Sequence, residues 1–61
     1  MDFSEVLLNF RSKHGLTQVD LSKIIGVNYG VISRWEIGKN KPRPTTRIKI
    51  LKKMEEYENG Q

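Results

Sequence analysis

The chain has 61 residues, no cysteine, one histidine and a net charge of +4. That length holds one domain around one small core, which excludes a two-domain enzyme with a deep cleft. It has no thiols for disulfides or a thiolate metal site, His14 has no second histidine with which to hold a metal, and no stretch approaches the ~18 apolar residues of a membrane span.

The first predicted helix runs from about Phe3 to Lys13. Phe3, Val6, Leu7 and Phe10 recur at helical spacing and form one apolar face, with Asp2 as its expected N-cap. His14-Gly15 ends it, glycine suiting the left-handed closing position. Thr17 reads as the N-cap of helix two, and Asp20, three residues on, as its capping-box partner. Leu21, Ile24 and Ile25 supply the buried face, and Gly26 stops the helix. Asn28 caps helix three, whose apolar positions are Val31, Ile32 and Trp35 and which Gly38 closes. Trp35 is expected in the core, with its indole nitrogen needing a partner or solvent. Lys39 to Pro44 form a basic, proline-bounded loop. Helix four is expected from Thr45 or Thr46, either of which can cap it, turning Ile48, Leu51 and Met54 inward and fading at Asn59-Gly60. Nothing alternates with the period of a strand, and there are no internal repeats or low-complexity segments.

The expected architecture is therefore all-α: a small four-helix domain over residues 1–61, with room for a short fifth turn and an acidic tail at about 55–61. Helices two and three, joined at Gly26, have the design of a helix-turn-helix over about 17–37, whose second helix is shaped for a DNA major groove. The charge supports this. Residues 1–30 sum to zero, with Arg11, Lys13 and Lys23 against Asp2, Glu5 and Asp20. The whole excess lies in residues 31–61, where eight basic residues face four acidic ones. Such a patch attracts a polyanion by releasing its counterions. Lys49, Lys52 and Lys53 read instead as a solvated helix face.

The string Arg11, Gly15-Leu16-Thr17-Gln18, Leu21, Gly26-Val27-Asn28, Ile32-Ser33, Glu36, Gly38 and Pro42 resembles the Cro/repressor-type, XRE-like (lambda repressor-like) helix-turn-helix family of bacterial and phage regulators. Ser22 departs from the alanine usual in that family, though serine is still small enough for helices two and three to approach closely. The dimerising fifth helix or extra domain of most members has no counterpart before Gln61.

The resemblance implies that Gln18 contacts a phosphate and braces the recognition helix, aided by the amides at the N-terminus of helix two. With Val27, Ile32 and Trp35 inward, Asn28, Tyr29, Gly30, Ser33 and Arg34 face outward. The groove-facing set that the resemblance implies is Asn28, Tyr29, Gly30 and Arg34. The guanidinium fork of Arg34 suits guanine O6 and N7 together. Tyr29 suits a thymine methyl or a phosphate, Asn28 a cap and the DNA backbone, and Ser33 a phosphate or nothing. Gly30 has two readings, closer approach of the helix to the bases or tolerance at an exposed site. In the family the loop after helix three lies along the phosphates, which assigns Lys39, Asn40, Lys41 and Arg43 to positioning contacts. Arg43, between two prolines, is also placed to reach a minor groove. Arg11 and Glu36 occupy the positions of a partly buried ion pair that is structural.

The leading functional expectation is a cytoplasmic, sequence-specific transcriptional regulator, most often a repressor, of phage, plasmid or bacterial genes. It binds double-stranded DNA as a homodimer on a palindromic operator and is monomeric or dimeric when free. Ile50 and Tyr57 are expected to complete the core; the alternative is that, with Met54, they offer a self-association face. Two other classes use the same fold: a protein-interaction module (antitoxin-like or adaptor) and an architectural DNA binder. No catalytic set, cofactor site or metal cluster is expected; Glu55, Glu56 and Glu58 read as a fraying tail.

Overall fold

A computed structural model describes residues 2–60, and 43 of these lie in four helices: α1 (Phe3–His14), α2 (Gln18–Ile25), α3 (Tyr29–Glu36) and α4 (Pro44–Glu58). No strand and no fifth helix occur among the described residues, and none of the helices is long and apolar enough to cross a membrane. Gln61, the last residue of the expected acidic tail, lies outside the described residues, as does Met1.

Local chemistry sets most of the boundaries. The Thr17 hydroxyl accepts from the Asp20 amide, and the Asp20 carboxylate accepts from the Thr17 amide, both at 3.0 Å. This reciprocal box satisfies two donors that α2 could not pair internally. At the other end of α2, Gly26 adopts φ +71°, a left-handed conformation that glycine takes without a Cβ clash. Its amide reaches back to Ser22 O, and the chain reverses into α3 within three residues, Gly26 to Asn28. Asn28 Oδ1 then caps α3 by accepting from the Gly30 amide at 2.7 Å.

Two expected caps are not made. Asp2 holds the N-cap position of α1 with extended backbone, but its carboxylate accepts from Ser4 Oγ at 3.0 Å rather than from a helix amide. Helix α4 starts at Pro44, not at Thr45 or Thr46. Proline needs no amide partner at the first helical position, and it forces the preceding residue into extended backbone. Arg43 therefore takes the cap position (φ −65°, ψ 155°), and both threonines fall inside the first turn.

The core joins Phe3, Leu7 and Phe10 of α1, Leu21 and Ile25 of α2, Ile32 and Trp35 of α3, and Ile50 and Met54 of α4. Val6, Leu16, Ile24, Val27 and Val31 pack around it. Trp35 meets Phe3 edge to face at 5.9 Å. Leu7, Leu21, Ile32 and Ile50 are completely buried, each contributing about 1.5–3 kcal/mol of hydrophobic stabilisation.

The register of α4 corrects the sequence expectation. Ile50 and Met54 point inward, whereas Ile48 and Leu51 are 65% and 40% exposed. Both stripes of α4 carry apolar residues, so periodicity alone could not choose between them. Contacts near the C-terminus hold the observed rotation: Tyr57 packs edge on against Phe10 at 5.7 Å, and Glu58 Oε2 takes Lys13 Nζ at 3.0 Å and His14 Nε2 at 2.9 Å. The expected fraying tail is thus helical through Glu58.

Candidate nucleic-acid interface

On α3 the buried Ile32 and Trp35 define the inner side, and the residues opposite them form the outer one. Tyr29 (56% accessible) and Arg34 are exposed, while Gly30 and Ser33 are half-buried. Asn28 is exposed at the start of this surface, with its carbonyl oxygen committed to the cap. Lys39, Asn40, Lys41 and Arg43 follow as exposed side chains on the segment leading to α4. Among the described residues, the ion pairs are Arg11–Glu36, Lys13–Glu58 and His14–Glu58. Arg34, Lys39, Lys41 and Arg43 are in none of them, so these four cations offer uncompensated charge to an anionic partner.

Gly38 gives this segment its direction. Its φ of +78° ends α3, and the amides of Lys39 and Asn40 both turn back onto Arg34 O, at 2.9 and 3.4 Å. The basic segment is therefore folded back on the end of α3, and Lys39 is brought close to Arg34.

Beside this surface lies a polar junction between three helices. Arg11 Nη1 of α1 and Gln18 Nε2 of α2 both donate to Glu36 Oε1 of α3, at 2.7 and 2.8 Å. Arg11 Nε also donates to Leu16 O at 3.1 Å, which holds the α1–α2 turn. The Glu36 side chain is 5% exposed and that of Arg11 24%. Glu36 Oε2 is buried with no hydrogen-bond partner in the protein, so both donors act on one oxygen. Arg11 stands opposite Glu36 as the resemblance implies, and the Gln18 bond to Glu36 braces α3; what the sequence does not show is that both donors share one oxygen. The chemistry follows from placement: Gln18, in the first turn of α2, keeps one amide hydrogen for Glu36 and has a second to offer outward.

Gly30 acquires a local explanation. A Cβ there would sit 3.1 Å from Asn28 Oδ1, the atom that caps α3. Glycine at this position leaves the cap undisturbed.

Ile37 is not among the apolar positions expected to face inward from α3, nor among the expected DNA contacts. Its amide still bonds Ser33 O at 3.1 Å, so it continues the helical register, and it is 73% exposed. The signal was present in the spacing: Ile37 follows Ser33 by four residues and Arg34 by three. Of the two roles open to Ile50, Met54 and Tyr57, completing the core is the one that Ile50 and Met54 take. Ile50 and Met54 are buried, and the Tyr57 ring is engaged by Phe10 and His14.

Among the described residues, no group of three or more histidine, aspartate or glutamate side chains is placed to hold a metal ion. No curated protein and no solved structure matches the chain. A family model described as helix-turn-helix matches residues 7–57, from α1 through α4. The chain therefore belongs to the helix-turn-helix family of XRE, lambda repressor-like type, a family of DNA-binding transcription regulators.

Proposed function

We propose that residues 1–61 act as one sequence-specific DNA-binding domain that represses transcription by occupying promoter DNA, in the cytoplasm of a bacterial or phage-infected cell. The observation that carries this reading is the outer side of α3: uncompensated Arg34, with Tyr29, Gly30 and Ser33, continues into exposed Lys39, Lys41 and Arg43. In this reading α3 enters the major groove. Arg34 bonds guanine with its fork, worth ~1–3 kcal/mol of discrimination against another base. Tyr29 meets a thymine methyl or a phosphate. Gln18, Asn28 and Ser33 take phosphate oxygens, and Lys39, Asn40, Lys41 and Arg43 lie along the backbone and set the register. Arg11 and Glu36 hold α3 in place and read no base. No residue is assigned a catalytic role.

One domain of this size covers little DNA, so regulatory affinity calls for two copies on a two-fold-related site, with half-sites about 34 Å apart. The apolar side chains that α4 offers to a second copy are Ile48 and Leu51, which the core does not use.

Selection of DNA sites from a random pool by the purified protein, near physiological salt, tests the proposal. An enriched palindrome that is lost with Arg34→Ala supports base reading by a dimer. An enriched single half-site supports specific binding by a monomer. Binding without enrichment that disappears as salt rises would overturn base reading in favour of an architectural role, and no binding would favour a protein-interaction module.

A further inference from the structure

We propose that Ile37 is a specificity-determining residue that packs on the C5-methyl group of a thymine in the bound DNA; this rests on the DNA-reading role of α3 proposed above. Ile37 is 73% exposed, the largest exposure among the large apolar side chains of the described residues. Its position is not arbitrary. The hydrogen bond from its amide to Ser33 O keeps it in helical register although the helix formally ends at Glu36. It lies seven residues after Gly30, four after Ser33 and three after Arg34, and therefore on the same outer side of α3. The side chain is thus carried by the surface that holds the base-reading arginine.

The chemistry narrows what it can touch. A branched hydrocarbon gains nothing from a phosphate, which needs a donor or a cation. In the major groove the apolar feature is the thymine methyl group, which distinguishes T from C and from either purine. A protein partner fits less well. Protein interfaces are built around a contiguous apolar centre, and the residues flanking Ile37 on this side and along the chain are Ser33, Arg34, Gly38, Lys39 and Asn40, all polar, charged or without a side chain. Tyr29 is also exposed on this side but lies about two turns earlier in α3, so Ile37 stands apart as an apolar group in a polar, basic setting, which suits one methyl contact.

The test uses the DNA site enriched from the random pool and replaces each of its thymines in turn by deoxyuridine, which lacks only the C5-methyl. Affinities of the wild-type protein and of Ile37→Ala are measured for the whole set. Because the side chain is exposed, the variant should fold as the parent does; circular dichroism melts check this. One thymine is expected at which loss of the methyl weakens wild-type binding about three- to fivefold, the worth of burying one such group. Ile37→Ala should bind the thymine and uracil forms of that site equally, and Ile37→Val should keep most of the difference. If every deoxyuridine penalty persists in Ile37→Ala, or if none exists, the contact is refuted while DNA reading stands. Failure to enrich any site refutes base reading itself and this contact with it.

Discussion

Single side chains divide into those that hold α3 and those offered to DNA, and substitution should separate the two. Arg11→Met leaves the Glu36 carboxylate 5% exposed with only the Gln18 amide as partner. Burying a carboxylate without its cation costs about 3–5 kcal/mol, so urea denaturation should show a loss of that order, large for a domain this small. Gln18→Ala, which leaves the Arg11–Glu36 pair in place, should cost much less. Arg34→Ala acts on the other class. Its folding stability should stay within about 0.5 kcal/mol of the parent, as for exposed substitutions generally, while discrimination at one base pair falls by ~1–3 kcal/mol. Lys41→Ala should weaken binding to all sequences alike and reduce the salt slope by about one. Titrations at several salt concentrations distinguish these outcomes.

At the scale of elements, caps and turns are local and can be tested one by one. Thr17→Ala removes a reciprocal capping box and should lower stability by about 1 kcal/mol in thermal or urea unfolding. Asp2→Ala should do almost nothing, because the Asp2 side chain bonds Ser4 and caps no amide. Gly26→Ala places a Cβ at φ +71° and should cost about 1–2 kcal/mol, although no atom stands in its way. The capping box, both glycine turns of the motif and the Asn28 cap were all legible in the sequence, because each depends on residues within a few positions of one another. The start of α4 was legible too, once proline is weighed above threonine: Pro44 accepts the first helical position and pushes Arg43 into extended backbone.

For the whole molecule, acid stability and assembly are the quantities to measure. The Thr17 amide, and then its hydroxyl, hold the Asp20 carboxyl below its ordinary pKa. Hydrogen bonds from His14 and then Lys13 do the same for Glu58, which ties the end of α4 to the end of α1. Both carboxyls release their protons more readily when folded than when unfolded. Their contribution is therefore complete above the pKa of the unfolded carboxyl and is lost as pH falls through the lowered native value. Unfolding free energy should decline on the acid side, and Glu58→Gln should flatten part of that decline; an unchanged slope would show the tether to be inconsequential. Assembly can be read on DNA. Leu51→Lys, on the face of α4 that the core leaves open, should reduce affinity for a two-half-site palindrome far more than for one half-site.

The sequence by itself determined the four helices, the turns at Gly15 and Gly26, the caps of α2 and α3, and the inward sides of α1, α2 and α3, since these rest on short-range spacing and on apolar stripes with a single possible face. The family was legible for the same reason: its motif is a string of such local signals. Only the tertiary structure decided the rotation of α4, where Ile48 and Leu51 compete with Ile50 and Met54 and the outcome depends on Phe10, Lys13 and His14, more than thirty residues away in the chain. It alone also brought Arg11 and Gln18 onto one Glu36 oxygen and set how far Ile37 is exposed. A hydrogen bond between three helices, or the exposure of one side chain, exists only after the helices have docked, and no spacing along the chain encodes it directly.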